Sequence, residues 1–402
     1  MGSEWGFYAC ASLIFFLCVN SVHCRNKIFT VTNYGAVADG ETDNSKAFLS
    51  AWKEACETDG GEVLVPYGTY LVSGANFQGP CNGETFFQNN GIIKATPGSH
   101  YQPFWISFYE VDGLTLYGRG TFDGHGASAW PLKKLCNDQC GNRPTSIKIA
   151  KVNNLNIRGI SSLNSKQFHF HIFMCDNVIV NNVYIRAPGN SPNTDGIHVG
   201  KCNNVSITNS RISTGDDCIS IGDGSQNINI ESVFCGPGHG ISIGSLGKYQ
   251  NEEDVRGISV RRCNLINTVN GLRIKTWAPS SVSSTVSDVT FEDINVKNVQ
   301  NPIIINQYYC PESACSHERD SDIKINGVKF INIKGTSASP VAVNLQCSKS
   351  QPCQNLEFHG IDLTMNGGQS TAAICSSANL KFVGYGEVPS SCAHHGYYWP
   401  LD

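Results

Sequence analysis

The sequence predicts an all-β chain wound as a single-domain parallel β-helix, closed at its amino end by a short capping helix. Three observations carry that reading. Short alternating apolar segments recur through most of the chain. Polar kinks, rich in Asn, separate them. The composition (40 Gly, 3 Met and only 15% charged residues in 402) suits many short strands and tight turns better than helices.

The repeat is seen by setting segments side by side: "GLTLYGRG" from Gly113, "NLNIRGI" from Asn154, "NVIVNNVYI" from Asn177, "NVSITNSRI" from Asn204, "NINIESVF" from Asn227, "GISVRRCNL" from Gly257, "DVTFEDINV" from Asp288, "DIKINGVKF" from Asp322 and "NLEFHGIDL" from Asn355. Their first apolar residues are Leu114, Leu155, Val178, Val205, Ile228, Ile258, Val289, Ile323 and Leu356, spaced 23 to 41 residues apart. Self-similarity at such a period indicates a stacked solenoid, and alternation inside each unit indicates strands with one face inward. Asn at the bends tolerates left-handed backbone and can ladder with Asn of the next coil. A β-sandwich would instead show hairpin signals such as Asn-Gly between adjacent strands, and these are sparse.

One segment breaks the pattern. "SKAFLSAWKEAC" carries Phe48, Leu49, Trp52, Ala55 and Cys56 on one helical face, after capping candidates Thr42, Asp43 and Asn44. A solenoid needs its open end covered, so this helix is read as the cap. No linker interrupts the chain from residue 25 to 402, so these residues are expected to form one domain.

The apolar run "ACASLIFFLCVNSV", Ala9 to Val22, is short for a membrane span, which needs about 20 apolar residues. It fits a secretory leader over residues 1–24, although Glu4 and the absence of Lys or Arg make its start atypical. Secretion makes the 18 cysteines candidates for disulfides. The close pairs are Cys136/Cys140, Cys202/Cys218, Cys310/Cys315, Cys347/Cys353 and Cys375/Cys392. Asn204-Val205-Ser206 is a glycosylation sequon. The net charge of −4 argues against nucleic acid as a partner. No membrane association is expected once the leader is gone, and zinc has no paired Cys-x-x-Cys spacing to hold it.

Four polar clusters interrupt the central coils: "SPNTDGIHVG" with Asp195, "STGDDCISIG" with Asp216 and Asp217, "CGPGHGISIGSLG" with His239, and "GLRIKTW" with Arg273 and Lys275. They recur at the coil period, so residues remote in sequence are expected one strand spacing apart, about 4.8 Å. Three clustered carboxyls repel one another, which should raise the pKa of at least one and leave it a proton to donate. A neighbour that stays ionised can activate water, which is the two-carboxylate requirement of glycoside hydrolysis. Arg273 and Lys275 suit a substrate that carries carboxylates. Taken singly, each motif is also an ordinary turn or ion pair. "HFH" (His169, His171) is read as packing, since no acid or Cys cluster matches it.

Together the four motifs resemble the signatures of plant polygalacturonases, over roughly Phe29 to the carboxyl end. The resemblance implies a right-handed parallel β-helix and inverting hydrolysis of α-1,4 bonds between galacturonic acid units of pectin, by a cofactor-free monomer at the cell wall. Asp216 is then the general acid, Asp195 and Asp217 hold the attacking water, and His239 supports the acid. Asn193, Arg273, Lys275 and Tyr309 contact substrate. Where that family usually has Asp-Gln-Asn-Tyr-Cys this chain has "NQYYC", with Asn306 in place of the Asp. "AVADGETDNSKAFLSAWKEAC" and "QYYCP" look more like the exo-acting pollen branch. A pectate lyase on a similar solenoid and a non-catalytic wall-binding protein or allergen are the competing readings. Because strict alternation would drive one of Asp216 and Asp217 into the core, the pair is expected at a bend, with the strand starting at Cys218.

Overall fold

The computed structural model describes residues 27–98, 102–131, 143–311, 315, 319–383 and 392. It is the expected all-β solenoid, a right-handed parallel β-helix. The named strands pair in parallel throughout, in a 23-stranded and an 11-stranded sheet. Residues 1–26 and the pair Cys136/Cys140 lie outside the described residues.

Register follows the sequence repeat. Leu114, Leu155, Val178, Val205, Ile228, Ile258 and Val289 pair in succession. The next position corrects the reading: Val289 pairs with Val328, not Ile323, and Val328 with Leu356. In that coil one strand, Lys324–Ser337, is inward-facing on both sides of Gly327, and Gly327 (φ 71°) takes the bend position. The same bend is left-handed at Asn154, Asn177, Asn204 and Asn227 (φ 55–56°). Asn204 Nδ2 donates to Asn177 Oδ1 at 2.7 Å, and Asn177 Nδ2 to Asn154 Oδ1 at 3.3 Å. The ladder closes an otherwise unpaired edge of each coil with its own side chains.

Inside, like residues stack on like. Phe291, Phe330 and Phe358 lie ring over ring, with centroids 5.2 and 4.9 Å apart. The helix Ser45–Cys56 covers the first coils. Its buried face is Ala47, Phe48, Ala51, Trp52, Ala55 and Cys56, whereas Leu49, expected on that face, is 36% exposed. The i, i+3, i+4, i+7 stripe through Phe48 leaves Leu49 at its edge. Trp52 packs on Phe77 and Phe108, and Asn44 is the residue that precedes the helix, its side chain holding Val37 and Leu71 instead of capping.

Five disulfides tie the described chain: Cys56–Cys81, Cys218–Cys235, Cys310–Cys315, Cys347–Cys353 and Cys375–Cys392. Three were expected. Cys202 does not join Cys218, because Cys202 follows its strand (Ile197–Gly200) whereas Cys218 precedes its own (Ile219–Ile221), which puts them at opposite corners of the coil. Cys218 instead meets Cys235, and Cys202 stays a buried thiol.

The central ring of the Phe stack should be the most sensitive core position. Phe330→Ala is expected to cost about 3–5 kcal/mol, read as a lowered denaturant midpoint with an unchanged slope.

Candidate active site

The three aspartates lie in the turns that lead into neighbouring strands of the 11-stranded sheet: Ile197–Gly200 after Asp195, and Ile219–Ile221 after Asp216 and Asp217. The strand starts at Ile219, one residue later than expected, and the Asp pair sits in a bend. Two glycines allow these turns to nest. A Cβ on Gly215 would sit 2.0 Å from Ser191 O, and one on Gly240 (φ 84°) would sit 2.1 Å from Asn270 O. Backbone bonds lock successive turns: Gly196 N–H donates to Asp217 O at 2.9 Å, and His239 N–H to Asp216 O at 2.8 Å.

Each carboxyl has its own environment. Asp217 is fully buried. It accepts Arg273 Nη2 at 2.6 Å, Lys275 Nζ at 2.9 Å and Ser242 Oγ at 2.8 Å. Burial alone would raise its pKa, but Arg273 and Lys275 outweigh that and hold it at about 2. Asp195 is also buried and, among the described residues, has no cation in hydrogen-bond contact; it accepts Ser220 Oγ at 2.8 Å. Burial first, and the Asp216 and Asp217 charges second, push its pKa well above the ordinary carboxyl range. The raised carboxyl is therefore Asp195, with burial rather than like-charge repulsion as the larger cause. Asp216 is the most accessible of the three, its side chain 19% exposed, and accepts His239 Nδ1–H at 3.0 Å.

The cations expected to meet substrate both bond to Asp217. Lys275 Nζ also lies 5.2 Å from the Tyr309 ring, which meets Trp277 edge-on at 5.9 Å. Tyr309 thus stands beside the cations. Asn306 accepts Tyr308 N–H at 2.8 Å, so a neutral amide holds that turn. Asn193 is exposed at the groove edge, where its Oδ1 accepts Arg143 Nη2 at 3.3 Å. Donor atoms of Asp216, Asp217 and His239 lie within 4.8 Å of one another, but the Arg273–Lys275 pair on Asp217 opposes a metal cation there.

Sequence reasoning missed the floor of this groove. Register places Lys148, His171, His198, Ser220, Ser242 and Arg273 in one outward column. Ser242 donates to Asp217 and accepts Arg273 Nε at 2.9 Å. Since Ser220 donates to Asp195, its contact with His198 Nδ1 at 2.8 Å requires that imidazole to donate. Lys148 Nζ donates to His171 Nε2 at 3.0 Å. Burial lowers Lys148 to about 8, His198 to about 4 and His171 to about 2, so both imidazoles are neutral. The signal was present in the position after the first apolar residue of "GIHVG", "CISIG", "GISIG" and "GLRIK".

Opposite environments predict opposite mutational responses. Asp217→Ala strands two buried cations and should cost about 3–5 kcal/mol. Asp195→Asn keeps an acceptor for Ser220 and should leave stability at pH 7 unchanged or raised, by thermal melts on both variants. Asp217 is depressed from about 3.9 in the unfolded chain to about 2, so its contribution is complete above that range. It should fade as pH falls from about 4 to about 2, and acid unfolding of Asp217→Asn should lack that phase.

Comparison with known proteins now bears on this site. Residues 56–392 match the family described as "Glycosyl hydrolases family 28". An exopolygalacturonase of Platanus acerifolia is 45% identical over 380 residues, covering 92% of this chain and 100% of its own. A polygalacturonase of Gossypium barbadense is 45% identical over 368 residues, covering 90% of each chain. Among solved structures, an endo-xylogalacturonan hydrolase from Aspergillus tubingensis superposes with a TM-score of 0.77 at 27% identity, covering 89% of this chain and all of its own. An exopolygalacturonase from Thermotoga maritima shares the fold, with a TM-score of 0.75 at 20% identity and coverage of 89% and 91%. With its carboxyls, His239 and cations gathered on one wall of a parallel β-helix, the chain belongs to the glycosyl hydrolases of family 28.

Proposed function

We propose that this enzyme hydrolyses α-1,4 bonds between galacturonic acid residues of polygalacturonate, with inversion and from a chain end, outside the cell at the wall, as a monomer. The observation that carries the reading is the pairing of a raised carboxyl (Asp195) with one exposed to the groove (Asp216), beside an ionised Asp217 fixed by Arg273 and Lys275. The plant relatives named exopolygalacturonase support end-wise action, and five disulfides support an oxidising compartment.

Burial, and then the charges of Asp216 and Asp217, push the Asp195 carboxyl up, and the proposed reaction uses one proton shared by Asp195 and Asp216. When that proton is on Asp216, Asp195 is a carboxylate, and acid and base coexist. Asp216 protonates the departing glycosidic oxygen. Water held by Asp195 and Asp217 attacks the anomeric carbon from the opposite face and loses its proton to Asp195. Return of the proton from Asp195 to Asp216 closes the cycle, with His239 Nδ1–H holding Asp216 in place. Arg273, Lys275, Tyr309 and Asn193 receive the sugar and its carboxylate.

Asp216→Asn should retain pectate binding and lose hydrolysis by about 10³-fold or more. Unchanged reducing-sugar release would remove Asp216 from the acid's role. With defined oligogalacturonides, monomer alone from the first turnover is the expected product. A ladder of mid-length products would make the enzyme endo-acting, and an unsaturated product absorbing in the ultraviolet would make it a lyase.

A further inference from the structure

A second concavity, of about 780 Å³, opens on the 23-stranded sheet, away from the groove. Its floor is built by strands Tyr184–Arg186, Arg211–Ser213 and Phe234–Cys235. Register sets Tyr184 beside Arg211 and Arg211 beside Phe234, with Arg186 one strand and two residues from Arg211. The Arg211 guanidinium lies over the Phe234 ring, 4.6 Å from its centroid, and Tyr184 is 37% exposed. No carboxylate lines the cavity.

Charge makes this concavity distinctive. The chain is net negative, and several cations elsewhere on the surface are answered: Arg261 and Arg262 by Glu231, Lys201 by Asp223 and Glu253. Among the described residues, Arg186 and Arg211 pair with no carboxylate. Two unanswered guanidiniums beside two aromatic rings match a ligand that alternates carboxylates with the C–H faces of sugar rings. The two arginine Cα atoms are about 8 Å apart by strand spacing and rise, so the pair can serve successive carboxylates of one extended ligand.

The rim connects this cavity to catalysis. Pro188 and Gly189 begin the turn that ends in Asp195, and Gly236 and Pro237 begin the turn that ends in His239. Ala187 N–H donates to Ser213 O at 2.8 Å and Thr214 N–H to Pro237 O at 3.0 Å. The cavity is thus bounded by the reverse side of the active-site turns.

We infer that this concavity is a second, non-catalytic binding site for a polyuronate chain, which holds the enzyme on its polymer while the groove works on an end. The identity of the uronate rests on the proposed function; the site itself rests on Arg186, Arg211, Tyr184 and Phe234. The test uses the full chain, with Arg186→Ala/Arg211→Ala and Tyr184→Ala as separate variants. Retention on insoluble cross-linked polygalacturonate is measured beside hydrolysis of trigalacturonate, too short to engage both places. Each variant should bind the polymer about tenfold more weakly and hydrolyse the trisaccharide at the parent rate, which also shows that it is folded. Parent-like retention by the double-arginine variant overturns the site. Loss with the arginine pair but none with Tyr184→Ala, or equal competition by a sulfated polyanion, overturns it as a sugar site and leaves only a charge effect. If the parent binds the polymer but does not cleave the trisaccharide, the hydrolase reading fails while the binding result still stands or falls alone.

Discussion

Each coil is held in register by the coils on either side, and every outward position thereby becomes a column. That constraint generates the candidate active site. Asp195 and Asp217 occupy the same place relative to their strands, two residues before Ile197 and Ile219, and Ile197 pairs with Ile219. Ser220, Ser242 and Arg273 follow in the next column. No long loop has to fold over to bring these groups together. The backbone ladder that stabilises the solenoid also fixes their separation, and the rigid sheet below limits how far they relax.

Electrostatics then differentiates residues that register makes equivalent. Asp217 and Asp195 are both buried carboxyls one coil apart. One receives Arg273 and Lys275 and is driven down to about 2, while the other receives a serine hydroxyl and is driven up. A buried ion cluster of this kind is costly to desolvate and contributes little net stability. Its presence in the wall of an otherwise apolar solenoid is explained by chemistry: it fixes which carboxyl is always charged and so which ones can exchange a proton.

Much of this was legible in the sequence because the determinants are local and periodic. Alternation, the Asn bends and the spacing of four motifs are enough to indicate a solenoid and to bring Asp195, Asp216, Asp217, His239, Arg273 and Lys275 together. What escaped depends on registration across coils. Ile323 looks like the start of a repeat, but Gly327 does the bending, so Val328 takes the column. Cys202 is close to Cys218 in sequence and at the opposite corner in space. Ser220 and Ser242 are inconspicuous residues until the register sets them under the carboxylates. That burial raises Asp195 while Arg273 and Lys275 hold Asp217 down is a three-dimensional fact.

The groove floor has one further consequence. On one side of the aspartates stand Arg273 and Lys275; on the other stand His198 and His171, both uncharged, with Lys148 beyond them. A sugar chain has two different ends, and a polyanion laid along this floor would meet Arg273 and Lys275, paired with Asp217, on one side, and on the other two uncharged imidazoles before it reaches Lys148. The two ways of threading it are therefore unequal in energy before any loop touches it. The solenoid axis gives the track a polarity, and the order of side chains in a single column writes that polarity into the gene as a spacing of one coil per symbol.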